Sequence, residues 1–144
     1  MRKGSSQVTP HYHISPVGVI HNAEDGAWIE IYDNYANALL GIDGFSHLMV
    51  FFWFHHNDTP EGRAYLQVHP RKNPENPLTG VFATHSPLRP NLIGLTFCRL
   101  RSRSGNILYL DKIDAIDGTP LIDVKPHIPL DDLESATVSV PDWV

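Results

Sequence analysis

The sequence predicts an all-β, mainly antiparallel protein whose sheet closes on itself as a small β-barrel with one short helix. Twelve prolines and ten glycines stand among 144 residues. Proline interrupts helices and central strands, whereas turns and sheet edges accept it. Seven or so short apolar segments are separated by turn residues, and none alternates with helical stretches as a β-α-β chain would. A sheet of short antiparallel strands exposes its edges unless it closes or doubles over.

Taken in order, residues 14 to 21 end in a β-branched apolar run, and Ala27 to Tyr32 alternates after the turn Glu24-Asp25-Gly26. Both are expected to be strands. Asp33 to Leu40 predicts two helical turns, with Asp33 as N-cap and Gly41 as the stop; this is the one helix expected. Leu48 to Phe54, LMVFFWF, is apolar without alternation, which predicts a strand covered on both faces at the centre of the core. The stretch from Asn57 to Pro77 holds four prolines and reads as a long loop with a short strand at Tyr65 to Val68. Thr96 to Arg103 and Ile107 to Ile113 predict an antiparallel hairpin turning at Ser104-Gly105-Asn106. Arg99, Arg101 and Arg103 fall on one face of its first strand by the period-two rule. That basic stripe fits a charged edge that resists aggregation, or contacts to phosphate.

The length suits one domain spanning 1–144, since single domains commonly hold about 100 to 200 residues. Hydrophobic residues make up 42% and charged residues 19%, enough for a core and too few charges for a disordered chain. One cysteine, Cys98, excludes an internal disulfide. No apolar run approaches the roughly 18 residues of a membrane span. Arg2 and Lys3 have no apolar segment behind them, so the expected location is the cytoplasm, away from any membrane. A net charge of −5 implies that any nucleic acid would be bound by a local patch rather than by the whole surface.

Four groups of residues can carry chemistry. His55 and His56 stand where the apolar strand stops, as polar punctuation or as part of a site. A metal reading would add His47 and His85, but their spacing lacks the tight pairs of common ligand sets, so no metal is expected. His11 and His13 form a His-x-His in a terminal segment expected to be exposed. From Gly80 to Leu95, GVFATHSPLRPNLIGL, two prolines stiffen the chain around Arg89, whose planar fork suits a carboxylate or phosphate; an ornate turn is the alternative. Asp111, Asp114, Asp117 and Asp123 follow a strand end, where carboxylates can grip an amino group or ribose hydroxyls, although Asp117 also fits a simple turn.

The segments PVGVIHN, GIDGFSHLMVFFWFH, NPLTGVFATHSPLRPNLIGL and IDAIDGTPLIDVKPHIP together resemble the TsaA-like, TrmO family of S-adenosylmethionine-dependent tRNA methyltransferases. The resemblance covers about residues 14–129, which would be the domain core between a flexible N-terminal segment and a C-terminal tail. It implies a small single-sheet β-barrel that forms a homodimer. It also implies methylation of N6 of threonylcarbamoyladenosine next to the tRNA anticodon, with S-adenosyl-L-methionine as cofactor. Carried over residue by residue, the cofactor site would comprise His55, His56, His85, Leu95, Asp111, Lys112, Ile113 and Asp114, with Asp117, Gly118 and Thr119 adjoining. Arg89, Asn91, Arg99 and Arg101 would contact the substrate, and Asp114 and His85 are the catalytic candidates. Two departures stand out. His85 and Leu92 replace an arginine and a proline of the family loop, and the short turn from Asn22 to Gly26 has no room for a Pro-Arg-Gln element of longer relatives.

In-line methyl transfer depends mostly on positioning, and a carboxylate or imidazole that takes a proton from a poorly nucleophilic N6 would help. Two other classes stay open at this stage. One is a non-catalytic module that binds S-adenosylmethionine or a nucleoside; the other is a histidine metalloprotein on a cupin-like barrel.

Overall fold

The computed structural model describes residues 9–130 and 137–144. Six antiparallel strands form a closed barrel: β1 (Gly18–Ala23), β2 (Gly26–Ile31), β3 (His47–Trp53), β6 (Ile93–Ser104), β7 (Ile107–Leu110) and β8 (Thr119–Pro126). Around the barrel they run β1-β2-β7-β6-β3-β8, so every edge is paired. The interior takes Ile20 from β1, Ile29 from β2, Leu48 and Val50 from β3, Cys98 from β6, Leu108 from β7 and Leu121 from β8, all fully buried. One apolar residue in two along each strand is thus enough to fill a barrel this narrow.

β8 was not anticipated, yet it closes the barrel by pairing with β1 on one side and β3 on the other. Pro120 and Pro126 lack ladder donors and Asp123 and Lys125 break the apolar pattern, so the sequence there reads as loop. A register shift between Phe51 and Phe52 absorbs the irregularity. Gly118, at φ 84°, makes the left-handed step that leads into the strand, and its N–H donates to the Ile20 carbonyl at 2.8 Å.

Four local expectations are corrected. Asp33–Leu39 is a 3-10 helix, and the one α-helical turn among the described residues, α1, is Pro60–Arg63 inside the expected loop, capped by Thr59 Oγ1 accepting from the Gly62 N–H at 2.9 Å. Asp33 does not cap its own helix, because its carboxylate accepts instead from Asn106 Nδ2 at 2.7 Å. β3 is not covered on both faces: Leu48, Val50 and Phe52 are buried while Met49, Phe51 and Trp53 remain half-exposed. The unbroken apolar run therefore reflects an outer face that the single chain leaves open. Finally, the strand expected to reach Ile113 ends at Leu110, where the backbone turns away along β6.

The long segment after β3 is shaped by the prolines that the sequence displays. β4 (Gln67–Val68) pairs with β5 (Thr79–Gly80) as a small separate ribbon. Among the described residues no helix is long and apolar enough to cross a membrane.

Candidate active site

A cleft of about 710 Å³ opens at the end of the barrel where β3 finishes and β6 begins. Three segments far apart in sequence form it: the end of β3 with the turn His55–Asn57, the loop Thr84–Arg89, and residues 114–116 before β8. Phe52 and Phe54 meet edge to face at 5.5 Å and form an aromatic floor. Gly94 is what lets them sit there, since a Cβ on it would stand 2.5 Å from the Phe52 ring and 2.9 Å from Phe54.

The loop wall is rigid for reasons visible in its residue types. Thr84 Oγ1 accepts from the Ser86 N–H at 3.1 Å and Ser86 Oγ accepts from the Leu88 N–H at 3.1 Å, two side-chain turns in succession. Arg89 Nη1 donates to the carbonyls of Thr84 and Ser86, each at 3.1 Å. Asn57 Nδ2 ties the turn after β3 to the Pro87 carbonyl at 3.3 Å, and Arg63 reaches from α1 to the Pro90 carbonyl at 2.9 Å and to Asn91 Oδ1 at 3.3 Å. The arginine expected to be offered to a ligand thus spends one nitrogen on holding its own loop.

On the opposite wall, Thr96 Oγ1 donates to Asp114 Oδ1 at 2.6 Å. Asp114 stands near enough to the buried Cys98 that its charge, after burial itself, helps push that thiol from its ordinary 9.0 up to about 11. The segment carrying Asp114 is anchored from behind by Asn22. The Asn22 side chain donates to the carbonyls of Ile113 at 2.9 Å and Ala115 at 2.8 Å, and its N–H donates to Asp117 Oδ1 at 2.8 Å.

Of the residues expected to form a site, the cleft brings together His55, His56, His85, Leu95, Asp114, Thr119 and Arg89. The others lie beside it. Ile113 is buried in the core. Asp117 and Gly118 form the turn anchored by Asn22 and by the Ile20 carbonyl. Asp111 lies 3.3 Å from Arg101 Nε and 3.9 Å from Arg99 Nε, so these arginines bracket a carboxylate on the barrel wall, with Lys112 exposed next to them. Arg103 leaves the expected stripe, bonding the Leu39 carbonyl at 3.2 Å beyond a register shift in β6. Asn91 serves Arg63. His55 and His56 pack ring to ring at 4.2 Å. Among the described residues no group of three His, Cys, Asp or Glu is arranged to hold a metal ion, and His47 lies at the far end of β3, bonded to Ser46 at 2.8 Å. Sequence reasoning missed Asn22, Trp53, Phe54, Asn57 and Phe97, whose contributions come from position on strands and turns rather than from a motif.

This architecture coincides with a known one. Residues 11–133 match the family described as the tRNA-methyltransferase O N-terminal domain. The chain belongs to the TrmO family. Its relatives include two proteins named "Probable S-adenosyl-L-methionine-binding protein". The one from Methanocaldococcus jannaschii is 42% identical over 79% of this chain and 90% of its own length; that from Pyrococcus horikoshii is 46% identical over 79% and 81%. The tRNA (adenine(37)-N6)-methyltransferase of Escherichia coli is 41% identical over 67% of this chain, which spans only 42% of that enzyme. A crystal structure of TrmO superposes over 94% of this chain and 65% of its own, with a TM-score of 0.69 and 28% identity. The TrmO-family barrel is therefore present here.

Proposed function

We propose that the chain is an S-adenosyl-L-methionine-dependent methyltransferase that acts in the cytoplasm, as a homodimer, on N6 of threonylcarbamoyladenosine in tRNA, next to the anticodon. The observation that carries this reading is the convergence of Asp114, His85, His55 and His56 on one aromatic-floored cleft, in a chain related to a tRNA (adenine(37)-N6)-methyltransferase. The volume lies within the roughly 300–1,000 Å³ typical of small-molecule sites. Its mixture of apolar surface with a few carboxylate, imidazole and hydroxyl groups suits a nucleoside joined to a charged amino acid chain. When bound, S-adenosyl-L-methionine supplies a methyl group on an electrophilic sulfonium.

The protein's own residues then have three tasks. The floor of Phe52 and Phe54, together with Leu95, excludes water and covers apolar surface. His55, His56 and Thr119 supply the polar partners nearby, while Asp111, Lys112, Ile113, Asp117 and Gly118 form the anchored segment that sets the height of Asp114 above the floor. Asp114 accepts the proton that N6 must lose. Its Oδ1 is held by Thr96, and among the described residues Oδ2 has no hydrogen-bond donor, which leaves that oxygen for the substrate. His85, on the facing loop, is a second proton acceptor, Arg89 contacts the substrate at the cleft, and Asn91, Arg99 and Arg101 are further substrate contacts outside it.

The test is to incubate the protein with labelled S-adenosyl-L-methionine and tRNA lacking the methyl group, and to identify the product nucleoside by mass spectrometry. Asp114→Asn keeps the shape and removes the base. It is expected to lower turnover on the order of 10²- to 10⁴-fold with cofactor affinity by calorimetry nearly unchanged. Unaltered turnover in that variant would dismiss Asp114 as the base.

A second reading, a binding module without catalysis, is favoured by the names of two relatives that the chain covers to 90% and 81% of their own length. It predicts calorimetric binding of the cofactor with no transfer to any tRNA.

A further inference from the structure

A second cleft, of about 590 Å³, lies directly behind the loop wall of the first and shares Thr84, His85 and Pro87 with it. Its other sides are the turn Pro70–Lys72 and the segment around Trp143.

Its charge sets it apart. Of the eleven lysines and arginines, Arg63, Arg99, Arg101 and Arg103 lie against carboxylates. Arg89 holds loop carbonyls, and Lys125 lies over the Phe51 ring. Among the described residues the side chains of Arg71, Lys72 and Lys112 have no ion pair, hydrogen bond or ring contact; Lys112 stands exposed on the barrel wall next to Asp111, whereas Arg71 and Lys72 are adjacent to each other and exposed at this cleft. They are also the two non-glycine residues among those described whose backbone is left-handed, at φ 59° and 56°. In a protein of net charge −5, two adjacent cations with no carboxylate partner among the described residues stand beside the rim of the site. The half-buried Trp143 lines the same cleft.

Adjacent cations with no carboxylate partner among the described residues, together with an indole, match the chemistry of a single RNA strand, whose phosphates need counter-charge and whose unpaired bases stack on aromatic rings. Resting on the reading of the first cleft, we infer that the second cleft is the subsite for the nucleotide flanking the methylated one. Arg71 and Lys72 hold its phosphodiester, and Trp143 stacks its base. The shared wall Thr84–Pro87 separates the two neighbouring nucleotides, so the strand is splayed across His85. An RNA that straddles this wall is positioned by backbone contacts that carry no sequence information of their own.

The experiment is equilibrium binding of a tRNA anticodon stem-loop transcript over a series of salt concentrations. It compares wild type with the double variant Arg71→Gln/Lys72→Gln, with cofactor affinity measured in parallel by calorimetry. The expected result is a loss of at least about tenfold in RNA affinity and a fall of roughly 1.4 in the slope of log affinity against log salt, the share of two single-strand phosphate contacts. Cofactor affinity and turnover at saturating RNA stay at wild-type levels. Trp143→Leu is expected to weaken RNA binding about tenfold, with Trp143→Phe restoring most of it. An unchanged affinity and salt slope in the double variant would overturn the subsite even if the wild type methylates RNA. Wild-type protein that shows the expected losses in its variants but transfers no methyl group would instead sink the methyltransferase reading and leave the subsite in place.

Discussion

At the scale of single residues, Cys98 records most directly how the barrel and the cleft are coupled. Its side chain fills the interior between β3 and β7, fully buried, while the charge of Asp114 acts on it from the cleft. Burial first, and that charge second, raise the thiol to about 11 from 9.0. The native thiol therefore keeps its proton through a range in which the unfolded thiol has released it. Between these values the unfolded state binds fewer protons, so stability falls as pH rises through the window from 9 to 11 and is insensitive to this group below it. Urea titrations of wild type and Cys98→Ser, each at pH 8 and at pH 10.5, are expected to show a decline in the wild type of about 1–2 kcal/mol more than in the variant. At neutral pH the folded protein should resist thiol reagents that modify it at once in urea. Rapid labelling of the folded state would contradict both the burial and the protonation.

At the scale of elements, the segment from Asp111 to Gly118 shows how a piece of chain without regular structure is held still. Its position follows from Asn22 at the end of β1, whose side chain and N–H together make three hydrogen bonds to it. Asn22→Ala would strip the carbonyls of Ile113 and Ala115 of their donor in partly buried surroundings, which is expected to destabilise the protein by about 1–3 kcal/mol. It should also weaken cofactor binding more than Asp114→Asn does, because the whole wall loosens. Denaturation and calorimetry on the two variants decide this, and equal cofactor affinity in both would show that the anchor has no effect on the site. The sequence made such a segment only partly readable. Its aspartates and the turn at Gly118 were evident, since those residue types are chosen for local reasons. Asn22 was not, because nothing local distinguishes an asparagine in a strand from one in a loop, and its partners lie more than ninety positions away. The same holds for β8: its prolines conceal a strand that exists because β1 and β3 leave a gap of the right width for it.

At the scale of the whole molecule, the outer face of β3 and β6 is the feature that the isolated chain leaves unresolved. Met49 lies opposite Phe97, Phe51 opposite Leu95 and Trp53 opposite Ile93, and Phe97, Leu95 and Ile93 are 59%, 47% and 44% exposed. A contiguous apolar strip on a closed barrel is unusual on a monomer and fits an interface. Leu95 and Phe97 also line the first cleft, so a second subunit on this face would extend the wall of the site in the proposed homodimer. Phe97→Glu is expected to shift the protein to monomer in sedimentation velocity at micromolar concentration and to lower cofactor affinity at the same time. A wild-type protein that sediments as a monomer would refute the proposed dimer.

The sequence by itself determined that the chain is β-rich, that it needs a closed sheet, and which two stretches, the loop from Gly80 to Leu95 and the aspartates after Leu110, gather the polar and turn-forming residues. These are local properties: proline and glycine limit the backbone, apolar residues recur at the strand period, and polar clusters mark turns. Only the tertiary structure decided which of those residues meet. It placed Asp114, His85 and His55 around one cleft while committing Asp111 to two arginines on the barrel wall and Asp117 to Asn22. The physical reason is that barrel closure sets strand register. Register in turn fixes which side chains face one another across distances in sequence that no local pattern records.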